Sequence, residues 1–200
     1  MPTKFHSSNL KQRKNTKAFT LIELVVVILL ISILSVIALP KFLNFSSHAK
    51  VSALEGVEAA LKNAVNLVEA QALIDNKYNN LGQDVKGTKL TFNDNTITIY
   101  NKGTPREVWN DGFEHLISGD FNHIGTGTGV LNEICTGAPL CVIDNLKISN
   151  VISGKEGYGL FIFPRGHKLT DKECFTHYGF QIDSNGLLVY RETGVEKEGC

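Results

Sequence analysis

The sequence lacks an excess of charge of either sign, a high content of glycine or proline, and any internal repeat. Its 20 Lys and Arg residues balance 20 Asp and Glu residues, whereas a protein that holds nucleic acid by bulk positive charge needs a basic excess. We therefore expect no nucleic-acid partner. Eighteen glycines and five prolines are too few for a collagen-like fibre. With 42% hydrophobic and 20% charged residues, the chain is neither wholly disordered nor a multi-span membrane protein.

Motifs for metal binding and catalysis are also missing. No Cys-x-x-Cys pair occurs, and the histidines show no ligand spacing such as His-x-x-x-His, so we predict no metal site. The glycine-rich segment 125–129 lacks the lysine of a phosphate-binding loop, and there is no Gly-x-Ser-x-Gly elbow. Cys174 and His177 lie three residues apart on a predicted strand and hence on opposite faces. We predict no enzyme activity and no cofactor.

What the sequence does contain is an uneven distribution of charge. Residues 1–18 include five basic residues and no acidic one. Residues 19–39 are apolar apart from a few hydroxyl side chains and one ionisable group, Glu23. As a helix this run would span roughly 31 Å, close to the thickness of a bilayer's hydrocarbon core. The pattern predicts one transmembrane helix, with its basic flank in the cytoplasm and the rest of the chain on the other side.

The length of this run and the presence of Glu23 argue against two simpler interpretations of it. A secretory signal peptide has an apolar region of only about 7–15 residues, followed by a cleavage site, and this run is longer. A plain membrane anchor gains nothing from an acid one turn inside it, because a charge at mid-bilayer costs about 2.5–3.5 kcal/mol. We therefore predict a functional role for Glu23.

The segment from Lys17 to Glu23, with the sequence KAFTLIE, resembles the processing site of type IV pilins and type II secretion pseudopilins. The resemblance implies that a prepilin peptidase cuts between Ala18 and Phe19 and that Phe19 becomes N-methylated. Glu23 is then fifth in the mature chain, where the family carries its glutamate, and Pro40 matches the family's helix-kinking proline. The residue before the cut is usually Gly, and here it is Ala18. Loss of the leader leaves 15 basic and 20 acidic residues, a net charge of −5.

Residues 40–44 and 54–61 look most like the mannose-sensitive haemagglutinin (MSHA) type of pilin. This implies a structural subunit of an adhesive surface pilus, with copies of itself, the prepilin peptidase, the assembly platform and the membrane as partners. The subunit would wait in the bacterial inner membrane with its head in the periplasm and then become part of an extracellular filament. Two alternatives stay open: a minor pilin or pseudopilin, and a membrane-anchored periplasmic enzyme or binding domain.

The fold class expected for the mature chain is α+β. After the leader (1–18) and the transmembrane and polymerisation helix (19–39), we predict an amphipathic helix extension over residues 40–75. Its apolar stripe is formed by Leu54, Val57, Leu61, Ala64, Val65, Val68 and Ala72. A parallel bundle of such helices would place the Phe19 amine of one copy near the Glu23 carboxylate of its neighbour, so that processing becomes a precondition of assembly.

Residues 76–200 are predicted to form the globular head. A hairpin is expected from strands 88–92 and 96–100 around the turn 93–95; the alternative of calcium at Asp94 is weaker, because Asn and Asp are turn formers in any case. We further predict a helix over 105–117, a loop over 119–129, and strands at 159–163, 174–182 and 187–191. The strands favour an antiparallel meander with one face on the helix and the other exposed to water.

Four cysteines allow three disulfide pairings, and an extracytoplasmic head makes bridges expected. Cys135 and Cys141 enclose a five-residue loop, while Cys200 is the last residue of the sequence. We choose Cys135–Cys141 with Cys174–Cys200, since the second pair resembles the C-terminal disulfide loop of the pilin family.

Overall fold

A computed structural model describes residues 19–79, 87–171 and 174–200 of this chain. The leader, Ala18 and the predicted cleavage site lie outside the described residues. The chain divides into two compact units, residues 1–44 and 45–200. One α-helix, α1 (Leu21–Ile74), contributes to both units. Pro40 is part of α1, but its side chain is outside the described set, so the kink expected there stays a prediction.

In the second unit, α1 buries the apolar stripe that its periodicity predicts. Leu54, Leu61, Val68 and Ala72 are fully buried, because residues three and four apart share one face of a helix. The helix ends at a left-handed residue, Asn76 (φ 55°). There the Lys77 N–H donates to the Ala72 carbonyl at 2.8 Å and the Asn76 N–H to Leu73 at 3.2 Å, the two bonds of a Schellman C-cap.

A small antiparallel sheet follows, formed by β1 (Thr88–Phe92), β2 (Asn95–Tyr100) and β3 (Thr104–Pro105). The predicted hairpin is confirmed. Its two turn residues, Asn93 and Asp94, have φ values of 46° and 63°, which is the geometry of a type I′ turn and the one that matches the twist of the flanking strands. Asn93 and Asp94 therefore form the turn, as favoured over the calcium interpretation, and Asn95 is already the first residue of β2.

The second sheet has five strands, which lie side by side in the order of the chain. They are β4 (Phe121–Thr126), β5 (Leu140–Lys147), β6 (Tyr158–Pro164), β7 (Phe175–Ile182) and β8 (Leu188–Glu196). β5 to β8 pair antiparallel, whereas β4 pairs parallel to β5. The α+β class is confirmed, and the three later predicted strands correspond to β6, β7 and β8. These three strands form the predicted antiparallel meander. The sequence analysis did not predict β4 and β5, and the pairing between those two strands is parallel.

Two local predictions are wrong. Residues 105–117 contain only a 3₁₀ turn, Phe113–His115, instead of a helix, because Pro105 pairs with Ile99 in the small sheet and the Trp109 N–H donates to the Asp144 side chain at 2.6 Å. Residues 119–129 are not a loop, because β4 occupies most of them. The one glycine within β4, Gly125, lies at an irregularity in the pairing with β5 that follows His123.

The five-stranded sheet is buried on both faces. One face packs against α1 in a cluster that includes Leu61, Val65, Phe113 and Tyr178. On the other face, the strand residues Phe161, Phe163 and Phe175 are covered by connecting segments. Cys135 and Cys141 belong to the same buried cluster. The expectation of a water-exposed outer face is therefore wrong. Residues 160–163 of β6 are all fully buried, as in a strand that is covered on both sides.

β8 lies at the edge of this sheet and is connected to α1 by polar side chains. Lys197 donates to Glu55 at 2.8 Å, Thr193 donates to Glu58 at 3.1 Å, and Arg191 donates to Glu69. The acceptors are spaced along the helix, so Arg191 and Thr193 hold two parts of β8 and Lys197 holds the residue that follows it. Charged contacts and a covering helix are two ways in which an edge strand is protected from pairing with another chain.

Candidate functional site: the N-terminal segment of the helix

The first turn of α1 is held by a reciprocal pair of side chains. The Thr20 N–H and the Thr20 hydroxyl each donate to Glu23 Oε2 at 2.8 Å, and the Glu23 N–H donates to Thr20 Oγ1 at 3.3 Å. This is a capping box, in which two free N–H groups of a helix N-terminus are satisfied reciprocally. Thr20 is a residue that the sequence analysis missed, although the Thr-x-x-Glu spacing was the signal that could have identified it.

The helix surface that follows is apolar throughout. Every large apolar side chain described between Phe19 and Val36 is exposed, from 38% at Val25 to 85% at Phe19. The hydroxyls of Ser32 and Ser35 donate to carbonyls of the same helix, both at 2.7 Å. Both serine hydroxyls of this segment are therefore hydrogen-bonded within the helix. Exposed apolar surface on this scale marks an interaction site with protein or lipid.

Glu23 is the one carboxylate within that surface. Both bonds that it accepts from Thr20 end on Oε2, so Oε1 takes part in neither. Phe19 and Glu23, two residues that the sequence analysis selected, lie on either side of this helix start, together with Ile22 and Val26 around one shallow hollow. The arrangement can offer a negative oxygen to a cation that approaches across an apolar surface.

Across the described parts of the chain, residues 19–79, 87–171 and 174–200, no helix has both the length and the apolar character needed to cross a membrane.

The head is closed by two disulfides, Cys135–Cys141 and Cys174–Cys200, and these are the pairs that we chose from the sequence. The shorter loop is fixed to the segment after β6, because Arg165 donates to the carbonyls of Gly137 and Ala138 at 3.0 Å each. The longer loop joins the residue before β7 to the C-terminal residue, just beyond β8, so that the edge strand is held at that end.

Buried polar residues form a second group that sequence reasoning missed. Asp144 is fully buried, with Oδ2 bound to the Trp109 N–H and Oδ1 3.2 Å from Nε2 of His123. Glu107 is 4% exposed, and burial raises the pKa of its carboxyl above the ordinary value, with Asp144 adding to the rise and Arg106 opposing it. No local sequence pattern indicates that these residues are buried, because the backbone turns around them are set by tertiary packing.

Comparisons with known proteins give consistent results. The family model described as the prokaryotic N-terminal methylation motif matches residues 13–39. The chain is 34% identical over 88 residues to the type IV narrow pilus major component PilA5 of Thermus thermophilus, an alignment that covers 42% of this chain and 76% of the relative. It is 40% identical over 73 residues to fimbrial protein Q of Moraxella bovis, covering 36% of this chain and 44% of that protein. No solved structure matches.

Proposed function

The chain belongs to the type IV pilin family, and we propose that it is the precursor of an MSHA-like pilus subunit that polymerises through its N-terminal helix and supports surface adhesion. The observation that carries this proposal is the single carboxylate of Glu23 within an exposed apolar helix surface, inside the segment that the methylation-motif family matches. A globular protein would not leave such a surface uncovered.

Processing between Ala18 and Phe19 prepares that surface for assembly. Removal of residues 1–18 takes away five positive charges and leaves a new amine on Phe19, one turn before Glu23. Prepilin peptidase is the partner that the methylation motif fits, and methylation of the Phe19 nitrogen keeps its positive charge. In the uncut chain the nitrogen of Phe19 is an uncharged amide, so it cannot form an ion pair with Glu23 of a neighbouring copy.

Assembly then depends on one ion pair per subunit. Apolar helices that pack side by side have little preference for one axial stagger, because their contacts are non-directional. A Phe19 amine that binds Glu23 of a neighbouring copy selects one stagger, since any other leaves two charges unpaired in an apolar bundle. Breaking a buried pair in this way costs about 3–5 kcal/mol. Oε1 of Glu23 can accept from the amine while Oε2 keeps its bonds to Thr20.

Before assembly the apolar helix needs another apolar environment. We place residues 19–39 across the inner membrane as a single span, with the leader in the cytoplasm and the head in the periplasm. The basic leader supports this orientation by the positive-inside rule, and the two disulfides support an oxidising compartment for the head. The assembly platform would extract the processed subunit from the membrane and add it to an extracellular filament.

The MSHA type and the adhesive role are supported by the resemblance of residues 40–44 and 54–61 to that type of pilin. A minor pilin or pseudopilin would share the processing and the ion pair, but it would be scarce in the filament. Abundance in filaments is therefore the property that separates these roles.

The proposal is tested by intact mass and N-terminal sequencing of the protein from two fractions, membranes and filaments sheared from the cell surface. We expect filaments rich in a chain that begins with N-methylated Phe19. The matched control is a strain without prepilin peptidase, in which the full-length chain should stay in the membrane. An uncut chain in wild-type membranes, absent from filaments, would overturn the proposal. A processed but scarce chain would reassign the protein as a minor subunit.

A further inference from the structure

The smaller disulfide loop and the segment that follows β6 are hydrogen-bonded to each other. We call these two segments, residues 135–141 and 165–171, the disulfide lobe. The Gly166 N–H donates to the Cys135 carbonyl at 3.0 Å, and the Cys135 N–H donates to the His167 carbonyl at 2.9 Å. These reciprocal bonds join the two segments, so a change at His167 reaches the loop that the disulfide closes.

A long-range hydrogen bond links this lobe to α1. Nζ of Lys50 lies 3.0 Å from Nε2 of His167, and the two residues are 117 positions apart in the sequence. Lys50 is in the part of α1 that belongs to the second compact unit, so the bond is a contact within the head. Both side chains are partly buried, which reduces the screening of their charges by water.

The chemistry of the two groups fixes the protonation state of the imidazole ring. A lysine ammonium has three donors and no acceptor, so Nε2 of His167 must be the acceptor in this bond. A neutral imidazole accepts at Nε2 when its proton is on Nδ1, whereas an imidazolium donates at both nitrogens. The bond between Lys50 and His167 therefore requires a neutral ring with its proton on Nδ1.

The surroundings of His167 favour that neutral ring. Burial lowers the pKa of His167 below its ordinary value, the charge of Lys50 lowers it further, and Asp171 opposes the change. Lys50 is thus the charged group that acts on the ring from α1, and Asp171 is the one that acts from the lobe. The Asp171 carboxylate accepts from the Lys168 N–H at 3.0 Å. The disulfide of Cys135 does not titrate.

A proton on Nε2 removes this contact, because it takes away the acceptor and places a second positive charge 3.0 Å from the lysine nitrogen. We propose that Lys50 and His167 form a pH-sensitive latch, which ties the disulfide lobe to α1 when the ring is neutral and releases the lobe when the ring is protonated. The closed latch binds the proton less readily than the open one. It is therefore closed above about pH 6.5 and opens as the pH falls below that value.

Opening of the latch is a local change that leaves the core of the head in place. Leu169 of the lobe is 1% exposed, and Leu54, one turn after Lys50 on α1, is fully buried. The expected effect is weaker protection of the Cys135 N–H from hydrogen exchange, since its acceptor is the His167 carbonyl. A head outside the cytoplasm meets the pH of the medium, and only this setting rests on the proposed function.

The test is NMR of the full chain in detergent micelles, which measures the tautomer and the pKa of each histidine ring, with His167→Gln to assign the signal. We expect an unprotonated Nε2 on His167 at about pH 7.5, and a fall of about threefold or more in the protection factor of the Cys135 N–H between about pH 7.5 and 5.5. Lys50→Glu should reverse both effects, because a carboxylate accepts from an imidazolium. In that variant the pKa of His167 should rise, and the protection of the Cys135 N–H should increase in acid.

Lys62→Glu is the matched control, because it makes the same change of charge at an exposed lysine of α1, about three turns further along the helix. It should leave the pKa of His167 and the exchange of the Cys135 N–H as in wild type. The proposal is overturned if Nε2 of His167 carries the proton at neutral pH, if Lys50→Glu leaves the pKa of His167 unchanged, or if Lys62→Glu raises it as much as Lys50→Glu. No filament is needed for these measurements, so a failure of the latch is distinct from a failure of the proposed polymerisation.

Discussion

Thr20 and Glu23 cap each other at the first turn of α1, with two 2.8 Å bonds from Thr20 to one carboxylate oxygen and a 3.3 Å bond returned by the Glu23 N–H. Glu23 therefore has a local role in the helix as well as its proposed role between subunits. The two roles require different properties of the side chain. Capping needs a side-chain acceptor, which Gln also supplies, whereas pairing with an amine needs a negative charge.

Substitutions at Glu23 separate these roles. Glu23→Gln keeps the cap and removes the charge, and we expect normal insertion and leader cleavage but a severe loss of surface filaments, since an unpaired amine in the bundle costs about 3–5 kcal/mol. Glu23→Ala should lose filaments to the same degree. The measurement is the amount of sheared filament per cell, with the membrane fraction probed for the processed chain.

Thr20→Ala is the control for the cap. It removes the hydroxyl that bonds to Glu23, at a cost of about 1 kcal/mol to the helix start, and leaves the charge of Glu23 in place. We expect filaments at close to the wild-type level. Filaments from Glu23→Gln would show that the charge is not required for assembly, and their absence from Thr20→Ala would show that the cap is required.

The stability of the head should fall as the solution becomes acidic, in part through His177. This ring is buried between Phe161 and Phe175. Burial lowers the pKa of His177 below the ordinary value, and the hydrogen bond to Glu192 at 3.3 Å offsets only part of the decrease. The unfolded chain then binds the proton more readily than the folded one, so stability is lost as pH falls below about 6.5.

His177→Phe should reduce this pH dependence, because Glu192 keeps its bond from Lys155 at 2.6 Å and the new ring titrates no proton. The measurement is the free energy of unfolding of the full chain in denaturant at about pH 7.5 and 5.5, compared between wild type and variant. His167, whose pKa burial and Lys50 lower, is unchanged in the variant, so a smaller slope is expected and not a flat one. His48→Gln, at an exposed position of α1, serves as the control. An equal slope in wild type and His177→Phe would contradict the prediction.

The parts of the fold that the sequence predicted are those with strong local signals. The stripe from Leu54 to Ala72 has helical spacing, and the hairpin has Asn93 and Asp94, two residues that tolerate left-handed backbone. The region 105–117 misled the prediction because Trp109, Phe113 and Ile117 are spaced as on a helix. These three residues are buried in the core, but they lie on successive turns and not on a helix. The hydrogen bond from the Trp109 N–H to Asp144 fixes the geometry of these turns.

The same distinction applies to the candidate sites. Phe19 and Glu23 could be found from the sequence because the whole signal lies within a few residues. The sequence did not reveal the strands β4 and β5. Their parallel pairing joins residues that are far apart in the chain, and β4 is rich in glycine and polar residues. The shift in the pairing of β5 with β6 at Asp144 and Asn145, and the close approach of Gly157 to Phe180, are likewise set by tertiary packing, and no sequence period encodes either of them.

The disulfide Cys174–Cys200 should be the larger contributor to the stability of the head. It closes a loop with a sequence separation of 26, compared with 6 for Cys135–Cys141, and loop-closure entropy gives about 3 kcal/mol for the longer loop and about 2 kcal/mol for the shorter one. We expect Cys174→Ser with Cys200→Ser to lower the unfolding free energy by that larger amount, measured in denaturant. Equal stability of the double variant and wild type would show that β8 is held by its pairing with β7 and its side-chain contacts without help from the disulfide.

Gly157 should be the glycine of the β5–β6 connection that tolerates no side chain. Gly157 and Gly154 both have positive φ, 101° and 80°, so an L-residue is strained at either position. They differ in their surroundings: a Cβ at Gly157 would lie 2.1 Å from the Phe180 carbonyl oxygen, while one at Gly154 would meet no atom within 4 Å. Gly154→Ala should therefore cost only the backbone strain, about 1–2 kcal/mol.

Gly157→Ala must in addition push the connection away from β7, and Ile148 would lose its 3.1 Å bond to the Gly157 carbonyl. We expect a loss of about 3 kcal/mol or more in unfolding free energy. Denaturant unfolding of the two variants side by side provides the comparison, because the strain is common to both and the close approach is not. Equal losses would mean that the backbone at Gly157 is free to move away from Phe180.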